Sequence, residues 1–239
     1  MQLVLLAAGR GNRLPKKFRN QPKCMTLIRN RSILDHNVNF YKKFNNKIIV
    51  AGYKNEKIKA FAKKFDFKIV KNTKFRSTNM VYSLFLSSKF IKQDVVICYG
   101  DIIFDGNIYK KLNLKGNLIP LNLNWLNLWK KRMSTKMIRK DAENLTIKNG
   151  YLDSIGGKIT KNYPTSQYMG LLKLEKKSFF TMKSFFNKLH NKKIDMTTFI
   201  NKVIKIKKIK IKTIKYKKFW FEIDSHKDIN VANSLINKW

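Results

Sequence analysis

The strongest constraint on the fold is a series of short apolar runs, each followed directly by a glycine. Residues 3–8, 47–51 and 95–99 form these runs, and Gly9, Gly52 and Gly100 close them. Such runs are typical of strands buried on both faces of a parallel sheet. Apolar residues at helix-like spacing fill most of the chain between them, at residues 32–44, 54–65 and 77–90, and residues 67–70 fit a further short strand. Alternating strands and helices predict a Rossmann-like α/β layer with right-handed crossovers.

The second half of the chain follows a different pattern. Residues 116–170 are rich in Trp, Asn and Gly, and Asn149-Gly150 and Gly156-Gly157 are turn signals. We expect strands and hairpins there, forming a small β-rich lobe over the sheet edge. Further predicted elements are helices at 176–189, 195–204 and 225–236, and strands at 209–216 and 220–224. The predicted fold is one domain, 1–239, with a mixed, mostly parallel sheet flanked by helices and a lobe at 116–170.

Two element details are specific enough to test. Either Ser77 or Thr78 is expected to cap the helix that covers residues 77–90, and Ser225 to cap the last helix. Residues 209–216 alternate apolar and lysine side chains, which indicates a strand with one wet face near a sheet edge.

The net charge is extreme, with 52 Lys+Arg against 14 Asp+Glu and a formal value of +38. Charge of this size favours nucleic acid or an anionic membrane surface as a partner. The basic residues are spread along the chain between apolar ones, so we expect most of them to form a solvated surface that also attracts anionic substrates. A basic nucleic-acid-binding protein stays open as a hypothesis of a different class.

The cysteines and the length of the apolar stretches indicate the cellular compartment. Cys24 and Cys98 are the only cysteines, and their spacing fits neither a metal site nor a redox motif, so we expect two reduced thiols. No apolar stretch approaches the ~20 residues that a membrane helix requires. We therefore expect a cytoplasmic protein with no membrane span. The oligomeric state stays open, with a homodimer as one alternative.

The loop after the first apolar run combines glycine with positive charge. Gly9 and Gly11 allow the backbone to turn tightly and leave its amides free to face a phosphate. Arg13 and Lys23 can neutralise phosphate charge that develops during a reaction. The loop matches neither a Walker sequence nor a dinucleotide fingerprint. Taken alone, these residues leave an ordinary strand-to-turn loop open.

Four motifs together resemble one family. The string LAAGRGNRL followed by PKCM resembles the signature of the nucleotidyltransferases that include sugar-1-phosphate nucleotidylyltransferases and phosphocholine cytidylyltransferases. The stretch from Asn79 to Leu84 is similar to the Asn-x-x-Tyr-Ser-Leu stretch of the phosphocholine branch, Gly100-Asp101 to the end of the metal-binding strand, and residues 222–225 to a C-terminal Glu-Ile-Asp-Ser. The motifs keep the family order from residue 6 to residue 225.

The resemblance implies a nucleotide-diphospho-sugar transferase-like fold and a set of roles. Gly11 and Arg13 would hold the triphosphate, and Lys23 would stabilise the α-phosphate. Asp101 and Asp224 would share a divalent metal, which we expect to be Mg²⁺. The residues expected at the base and ribose are Leu6, Ala7, Ala8, Gly9, Asn79 and Ser83.

The acceptor is inferred from side-chain chemistry. Aromatic faces beside a carboxylate suit an ammonium group. The expected contacts are Gln167, Tyr168, Asp195, Trp220 and Glu222, with Trp125, Trp129, Asp141 and Glu143 as further candidates. The expected reaction moves CMP from CTP to a small phosphorylated or phosphonylated amine, such as phosphocholine or 2-aminoethylphosphonate, and releases pyrophosphate. Two alternatives stay open, a sugar-1-phosphate acceptor and an inactive relative that only binds ligand.

Overall fold

The computed structural model describes residues 1–159 and 162–236 and shows an α/β fold. Its strands are β1 (Gln2–Ala7), β2 (Leu27–Ile28), β3 (Arg31–Ser32), β4 (Lys47–Ala51), β5 (Phe67–Lys71), β6 (Val95–Tyr99), β7 (Ile102–Phe104), β8 (Leu118–Asn122), β9 (Glu143–Lys148), β10 (Tyr151–Lys158), β11 (Gln167–Tyr168), β12 (Leu171–Leu174), β13 (Lys212–Tyr216) and β14 (Trp220–Glu222). Its α-helices are α1 (Ile33–His36), α2 (Val38–Tyr41), α3 (Glu56–Lys64), α4 (Met80–Leu86), α5 (Ile108–Leu112), α6 (Trp125–Lys130), α7 (Thr135–Asp141), α8 (Lys176–Lys188), α9 (Met196–Lys207) and α10 (His226–Leu235). Short 3₁₀ helices cover Lys16–Phe18, Lys23–Met25 and Ser87–Phe90.

The main sheet has the order β5-β4-β1-β6-β12-β8-β13-β10-β9, and β11 pairs with β8. Strands β5, β4, β1 and β6 are parallel, β12 runs antiparallel to both of its neighbours, and β13 is parallel to β8. Helices cover both faces. The mixed sheet flanked by helices that the sequence predicts is therefore confirmed.

Strand β1 shows why its apolar run is unbroken. Leu3, Leu5 and Ala7 pack into the core on one face of the sheet, whereas Val4 and Leu6 pack into the core on the other. Alternate side chains of a strand point to opposite faces, so a strand covered on both sides needs apolar residues at every position.

The helix predicted over residues 32–44 is instead two short helices, α1 and α2, that meet at Asn37. The buried Asn37 amide donates hydrogen bonds to the carbonyls of Ile33 and Ile102, the latter at 2.7 Å, and its oxygen accepts from the amide of Phe104 at 3.3 Å. The side chain thus ties this point of the chain to β7, and helix-like spacing of apolar residues alone does not reveal such a tie.

The predicted cap of the helix over residues 77–90 was wrong by one or two positions. Helix α4 begins at Met80, and Asn79 caps it by accepting a hydrogen bond from the Met80 amide at 2.8 Å. The hydroxyls of Ser77 and Thr78 both donate to the carbonyl of Lys74 and therefore belong to the preceding turn.

The segment 116–170 contains more helix than predicted. Strand β8 lies inside the main sheet, helices α6 and α7 follow it, and β9 and β10 form a hairpin. Asn149-Gly150 is the hairpin turn, as expected, but Gly156 and Gly157 lie within β10, where its register with β9 shifts. Residues 160 and 161 lie outside the described residues. An acceptor-binding role for this segment stays a prediction.

Strand β13 is not at an edge of the sheet. It lies between β8 and β10 and pairs with β8 along its whole length, from Lys212 to Tyr216. Its pairing with β10 is limited to Tyr151 opposite Lys212, which leaves most of that side without a ladder partner. None of the helices in the described part of the chain has the length and hydrophobicity that a membrane-spanning segment requires.

Candidate active site

A small second sheet brings the two predicted metal aspartates together. Strand β6 ends at Tyr99 and leads into Gly100 and Asp101, at the carboxyl edge of the parallel strands. Strand β7 then pairs antiparallel with β14, with Ile102 opposite Glu222, and the amide of Ile223 donates to the carbonyl of Asp101 at 3.0 Å. Asp101 and Asp224 therefore reach the same point from distant parts of the chain.

Lys23 lies between these aspartates. Its Nζ is 2.6 Å from Asp101 Oδ2, and it also donates to Asp224 Oδ1. The stem of Lys23 packs beneath Gly11, which has a φ of +71°. A Cβ at Gly11 would come within 3.2 Å of the Lys23 Cβ, so glycine allows both the left-handed backbone and the close approach.

The charges of this group stabilise one another. Burial alone would lower the pKa of Lys23, but Asp101 and Asp224 outweigh it and raise the pKa above its ordinary value. Burial would raise the pKa of Asp224, but Lys23 and Arg13 outweigh it and lower the pKa. Arg13 Nη2 donates to Asp224 Oδ1 at 2.7 Å. Lys23 and Asp224 are therefore both charged at neutral pH.

Glu222 adds a third carboxylate, which the sequence had suggested only as an acceptor contact. One oxygen from each of Asp101, Glu222 and Asp224 lies within 4.8 Å of the other two. Burial, with Asp224 and Asp101 nearby, raises the pKa of Glu222 to about 8. Asp101 Oδ1 is buried and has no hydrogen-bond partner among the described residues. Three hard oxygen donors with an unused buried oxygen fit a divalent cation such as Mg²⁺.

A cavity of about 150 Å³ lies on one side of these carboxylates. The predicted nucleotide contacts that line it are Leu6, Ala8, Gly9, Asn79 and Ser83, together with Asp101. Two predicted contacts lie elsewhere. The Ala7 side chain points into the core of the opposite sheet face, because it follows Leu6 in the same strand, and Gly11 packs over Lys23. The prediction that the Ala7 side chain lies against the base is therefore wrong.

Asn72 is a residue of this cavity that the sequence did not indicate. It is 1% exposed, and its amide donates to Ser83 Oγ at 2.9 Å and to Thr78 Oγ1 at 3.2 Å. Asn72 follows strand β5 directly, and this strand-end position was the one sequence signal that could have identified it. Asn72 holds two hydroxyl side chains in place at the cavity wall.

A second cavity of about 240 Å³ lies on the other side of the carboxylates. The predicted acceptor contacts Gln167, Tyr168, Asp195, Trp220 and Glu222 all line it, together with Arg13 and Asp224. Met80 and Tyr99 line both cavities, so the two spaces are neighbours.

The tryptophans of the region differ in position. Trp129 and Trp220 line the second cavity and stack on each other, with ring centroids 6.4 Å apart. Trp125 is 1% exposed, and its indole donates to the carbonyl of Pro164, so it is a core residue and not a cavity wall. The indole nitrogen of Trp220 is buried and has no hydrogen-bond partner in the described part of the chain.

The second cavity is acidic although the protein is strongly basic. Asp141, Glu143 and Asp195 line it in addition to Glu222 and Asp224, and Arg13 is the one basic residue among the described lining residues. Five of the 14 acidic residues of the chain thus face one cavity. Such a concentration favours a ligand with a cationic group.

Two of these acids, Glu143 and Asp195, both contact Thr197 at the start of helix α9. The Thr197 hydroxyl lies 2.7 Å from Glu143 Oε1 and 3.0 Å from Asp195 Oδ1. Burial raises the pKa of Glu143, and Asp195 and Asp141 add to the effect. Burial would raise the pKa of Asp195, but hydrogen bonds from Thr198 and Thr197 outweigh it and lower the pKa.

The cysteines and the histidine nearest the site lie outside both cavities. Cys24 and Cys98 are free and buried, and burial raises the pKa of Cys24 to about 12, so neither is a ready nucleophile. The ring of His226 lies against Phe18, with centroids 5.8 Å apart.

The comparisons with known proteins agree with this geometry. A model of the MobA-like NTP transferase domain matches residues 3–114. The CTP:phosphoglutamine cytidylyltransferase of Campylobacter jejuni is 32% identical to this chain over 252 aligned positions, which cover 97% of this chain and 98% of the relative. A choline-phosphate cytidylyltransferase of Streptococcus pneumoniae is 29% identical over 44% of this chain and 46% of its own length.

Solved structures share the fold over the whole chain. The phosphocholine cytidylyltransferase structure from Streptococcus pneumoniae superposes with a TM-score of 0.77 at 18% identity and covers 98% of both chains. The strand-end carboxylates, the glycine loop and a relative similar along its full length lead to one assignment. The chain belongs to the nucleotidyltransferase family.

Proposed function

We propose that the protein transfers CMP from CTP to the phosphate or phosphonate group of a small amine and releases pyrophosphate. The observation that carries the proposal is the junction of a small nucleotide-side cavity and an acid-rich cavity at Asp101, Lys23 and Asp224. The relative similar along its full length, which is named as a cytidylyltransferase for phosphoglutamine, supports both the nucleotide and the class of acceptor.

The nucleoside would occupy the smaller cavity. Leu6, Ala8 and Gly9 offer small or apolar surfaces that allow a base and ribose to approach closely. Asn79 and Ser83 supply polar groups at the opposite wall, and Asn72 fixes the Ser83 hydroxyl by hydrogen bonding. The triphosphate would then extend along the turn at Gly9 and Gly11 towards the carboxylates.

The transfer step needs positive charge at the α-phosphate. An oxygen of the acceptor phosphate forms a bond to the α-phosphorus, and the bond from that phosphorus to the oxygen bridging to the β-phosphate breaks. Pyrophosphate leaves with the electron pair. The Lys23 ammonium can neutralise charge that builds up on the α-phosphate oxygens, and Arg13, which lines the larger cavity, would lie beside the attacking group.

Asp101 and Asp224, with Glu222 as a third donor, are the residues that would hold Mg²⁺. When bound, the ion would neutralise phosphate charge and help to orient the two reactants. Lys23 donates to one oxygen of each aspartate, and its flexible stem allows the ammonium to turn to a phosphate once those carboxylates have another partner.

The amine end of the acceptor would lie in the acid-rich cavity, away from Asp101 and Asp224 and next to Glu143 and Asp195. Neither residue forms an ion pair with a basic side chain among the described residues, although basic residues are abundant in this chain. The faces of Trp129 and Trp220 add the aromatic surface that an ammonium group favours.

The proposal is tested by pyrophosphate release from each of the four nucleoside triphosphates with a panel of acceptors. The panel holds phosphocholine, phosphoethanolamine, 2-aminoethylphosphonate, phosphoglutamine and glucose 1-phosphate. We expect turnover with CTP and a phosphorylated or phosphonylated amine, and loss of turnover with EDTA. Turnover with the sugar phosphate alone would support the alternative acceptor. Absence of turnover together with tight duplex or single-strand binding would overturn the enzyme assignment.

A further inference from the structure

Arg132 is a buried cation directly behind the acceptor cavity. Its side chain is 2% exposed, and the guanidinium lies 4.9 Å from the Trp129 ring centroid and 5.7 Å from that of Phe221. It follows helix α6 and belongs to none of the motifs that the sequence analysis identified. Burial of an arginine costs free energy unless partners compensate for the lost water. The partners that compensate for its burial therefore indicate the role of Arg132.

On one side, Arg132 contacts the start of helix α10. Its Nη1 donates to Asp228 Oδ1 at 3.1 Å, and the Asp228 side chain is also 2% exposed. The other oxygen of Asp228 accepts hydrogen bonds from the backbone amides of Asp224 at 2.9 Å and Ser225 at 2.6 Å. A chain of hydrogen bonds thus runs from Arg132 through Asp228 to the backbone of Asp224, one of the three clustered carboxylates.

On the other side, Arg132 faces a second member of the carboxylate cluster. Its Nη2 lies 3.8 Å from Glu222 Oε2, within ion-pair range but beyond a hydrogen bond. Both Nε and Nη2 are buried and have no hydrogen-bond partner in the described part of the chain. One guanidinium therefore touches the support of Asp224 and attracts Glu222 at the same time.

We propose that Arg132 is a positioning residue that, with Asp228, sets the arrangement of Glu222 and Asp224 and thereby the affinity of the carboxylate cluster for a divalent cation. The inference rests on the proposed metal-dependent function. Arg132 itself does not line either cavity and is not expected to touch substrate. Groups that orient metal ligands typically change metal affinity or activity by roughly 10–100-fold when they are removed.

A purely structural salt bridge would predict a different result, and Lys173 provides the matched control. Lys173 is also a buried cation, 3% exposed, and its Nζ donates to the carbonyl of Leu114 and lies 3.8 Å from Asp94 Oδ2. It lies on β12, among none of the cavity residues. Lys173→Met should lower the melting temperature without changing cation affinity, whereas Arg132→Met should change both.

The experiment titrates Mn²⁺ into nucleotide-free protein and measures free Mn²⁺ by electron paramagnetic resonance. We expect the wild type and Lys173→Met to bind with the same Kd, and Arg132→Met to bind about 10–100-fold more weakly. Arg132→Lys should be intermediate, because it keeps the charge but loses the fork that reaches both partners. Asp228→Asn, which keeps the side-chain shape, should also weaken binding.

The outcomes separate this inference from the proposed function. If the wild type binds no Mn²⁺, the proposed metal site fails and this inference fails with it. If the wild type binds and both Arg132→Met and Asp228→Asn bind equally well, the positioning role is overturned while the proposed function stands. Should Arg132→Met not fold, Asp228→Asn and Arg132→Lys decide the question.

Discussion

Lys23 connects the two aspartates and the proposed chemistry. Because Asp101 and Asp224 keep its pKa above the ordinary value, its positive charge is present throughout the neutral range. We expect Lys23→Ala to lower kcat about 10²–10³-fold, the typical cost of removing one transition-state donor. The KM for CTP should change only a few-fold, since the charge matters most in the transition state.

Steady-state pyrophosphate release measures both constants for Lys23→Ala. Lys16→Ala is the control, because Lys16 is an exposed lysine in the neighbouring 3₁₀ helix and should leave both constants unchanged. An increase in KM with kcat preserved would show that Lys23 binds the nucleotide but does not promote transfer.

The aspartates are expected to act through the metal. Asp101→Asn and Asp224→Asn should each reduce Mg²⁺-dependent turnover by at least about 10²-fold, since each removes one charged oxygen ligand. The Mg²⁺ dependence of pyrophosphate release checks this prediction. Asp94→Asn, at a carboxylate away from both cavities, is the control. Full turnover in either test variant would remove that aspartate from the metal site.

At the scale of elements, Asp195 has a structural role that the sequence did not reveal. It caps helix α9 by accepting a hydrogen bond from the Thr198 amide at 2.8 Å, and it also lines the acid-rich cavity. Asp195→Ala should lower the free energy of unfolding by about 1 kcal/mol, and Asp195→Asn should preserve it, because Asn is an equally good cap.

The two variants separate capping from acceptor binding. Chemical denaturation measures stability, and the KM for the acceptor measures binding. If Asp195 contacts the amine, Asp195→Asn should raise that KM severalfold with unchanged stability. An unchanged KM for every amine acceptor would limit Asp195 to its capping role.

Acid should weaken the same cap. Hydrogen bonds hold the pKa of Asp195 below its ordinary value of 3.8, so the cap contributes stability above that value and loses it as the pH falls through the folded-state pKa. Denaturation curves of the wild type and Asp195→Asn should therefore differ in stability least at neutral pH and most below pH 3.8. Parallel pH profiles would contradict this assignment.

The sequence predicts some elements of the fold correctly and misses others. Strands β1, β4 and β6 are apolar after Gln2 and Lys47 at the first positions of β1 and β4, because helices cover both faces of the sheet. Their carboxyl ends meet at one edge, which places the glycine loop beside Asp101. The break at Asn37 and the short pairing of β7 with β14 depend on tertiary contacts of a few residues, which leave no periodic pattern.

The residues of the site also divide into those that the sequence identifies and those that it does not. The order of the family motifs sufficed to select Lys23, Asp101 and Asp224, which lie together. Arg132 and Asn72 could not be selected, because neither stands in a motif. Arg132 acts through Asp228, which is 96 positions away along the chain, and Asn72 acts through the hydroxyl of Ser83, a side-chain contact that no sequence pattern marks. Glu222 stands in a motif, but its place beside two other carboxylates became visible only in three dimensions.

At the scale of the molecule, a net charge of +38 surrounds an acid-rich cavity. The basic surface should attract CTP and the acceptor, both of which are anions, over a distance set by the ionic strength. We expect kcat/KM to fall about tenfold when salt rises from about 0.02 M to about 0.2 M, with kcat nearly constant. Stopped-flow binding of CTP checks this, and a salt-independent association rate would contradict it.

Asp101 and Asp224 would hold a divalent cation at the junction of the two cavities, where it would neutralise phosphate charge of the nucleotide and the acceptor. Crystals grown with Mn²⁺ and a non-hydrolysable CTP analogue test it most directly, because anomalous scattering locates the ion. We predict Mn²⁺ between Asp101 and Asp224, cytosine beside Asn79, and the Lys23 ammonium turned towards the α-phosphate. An ion bound elsewhere, or the base in the acid-rich cavity, would contradict it.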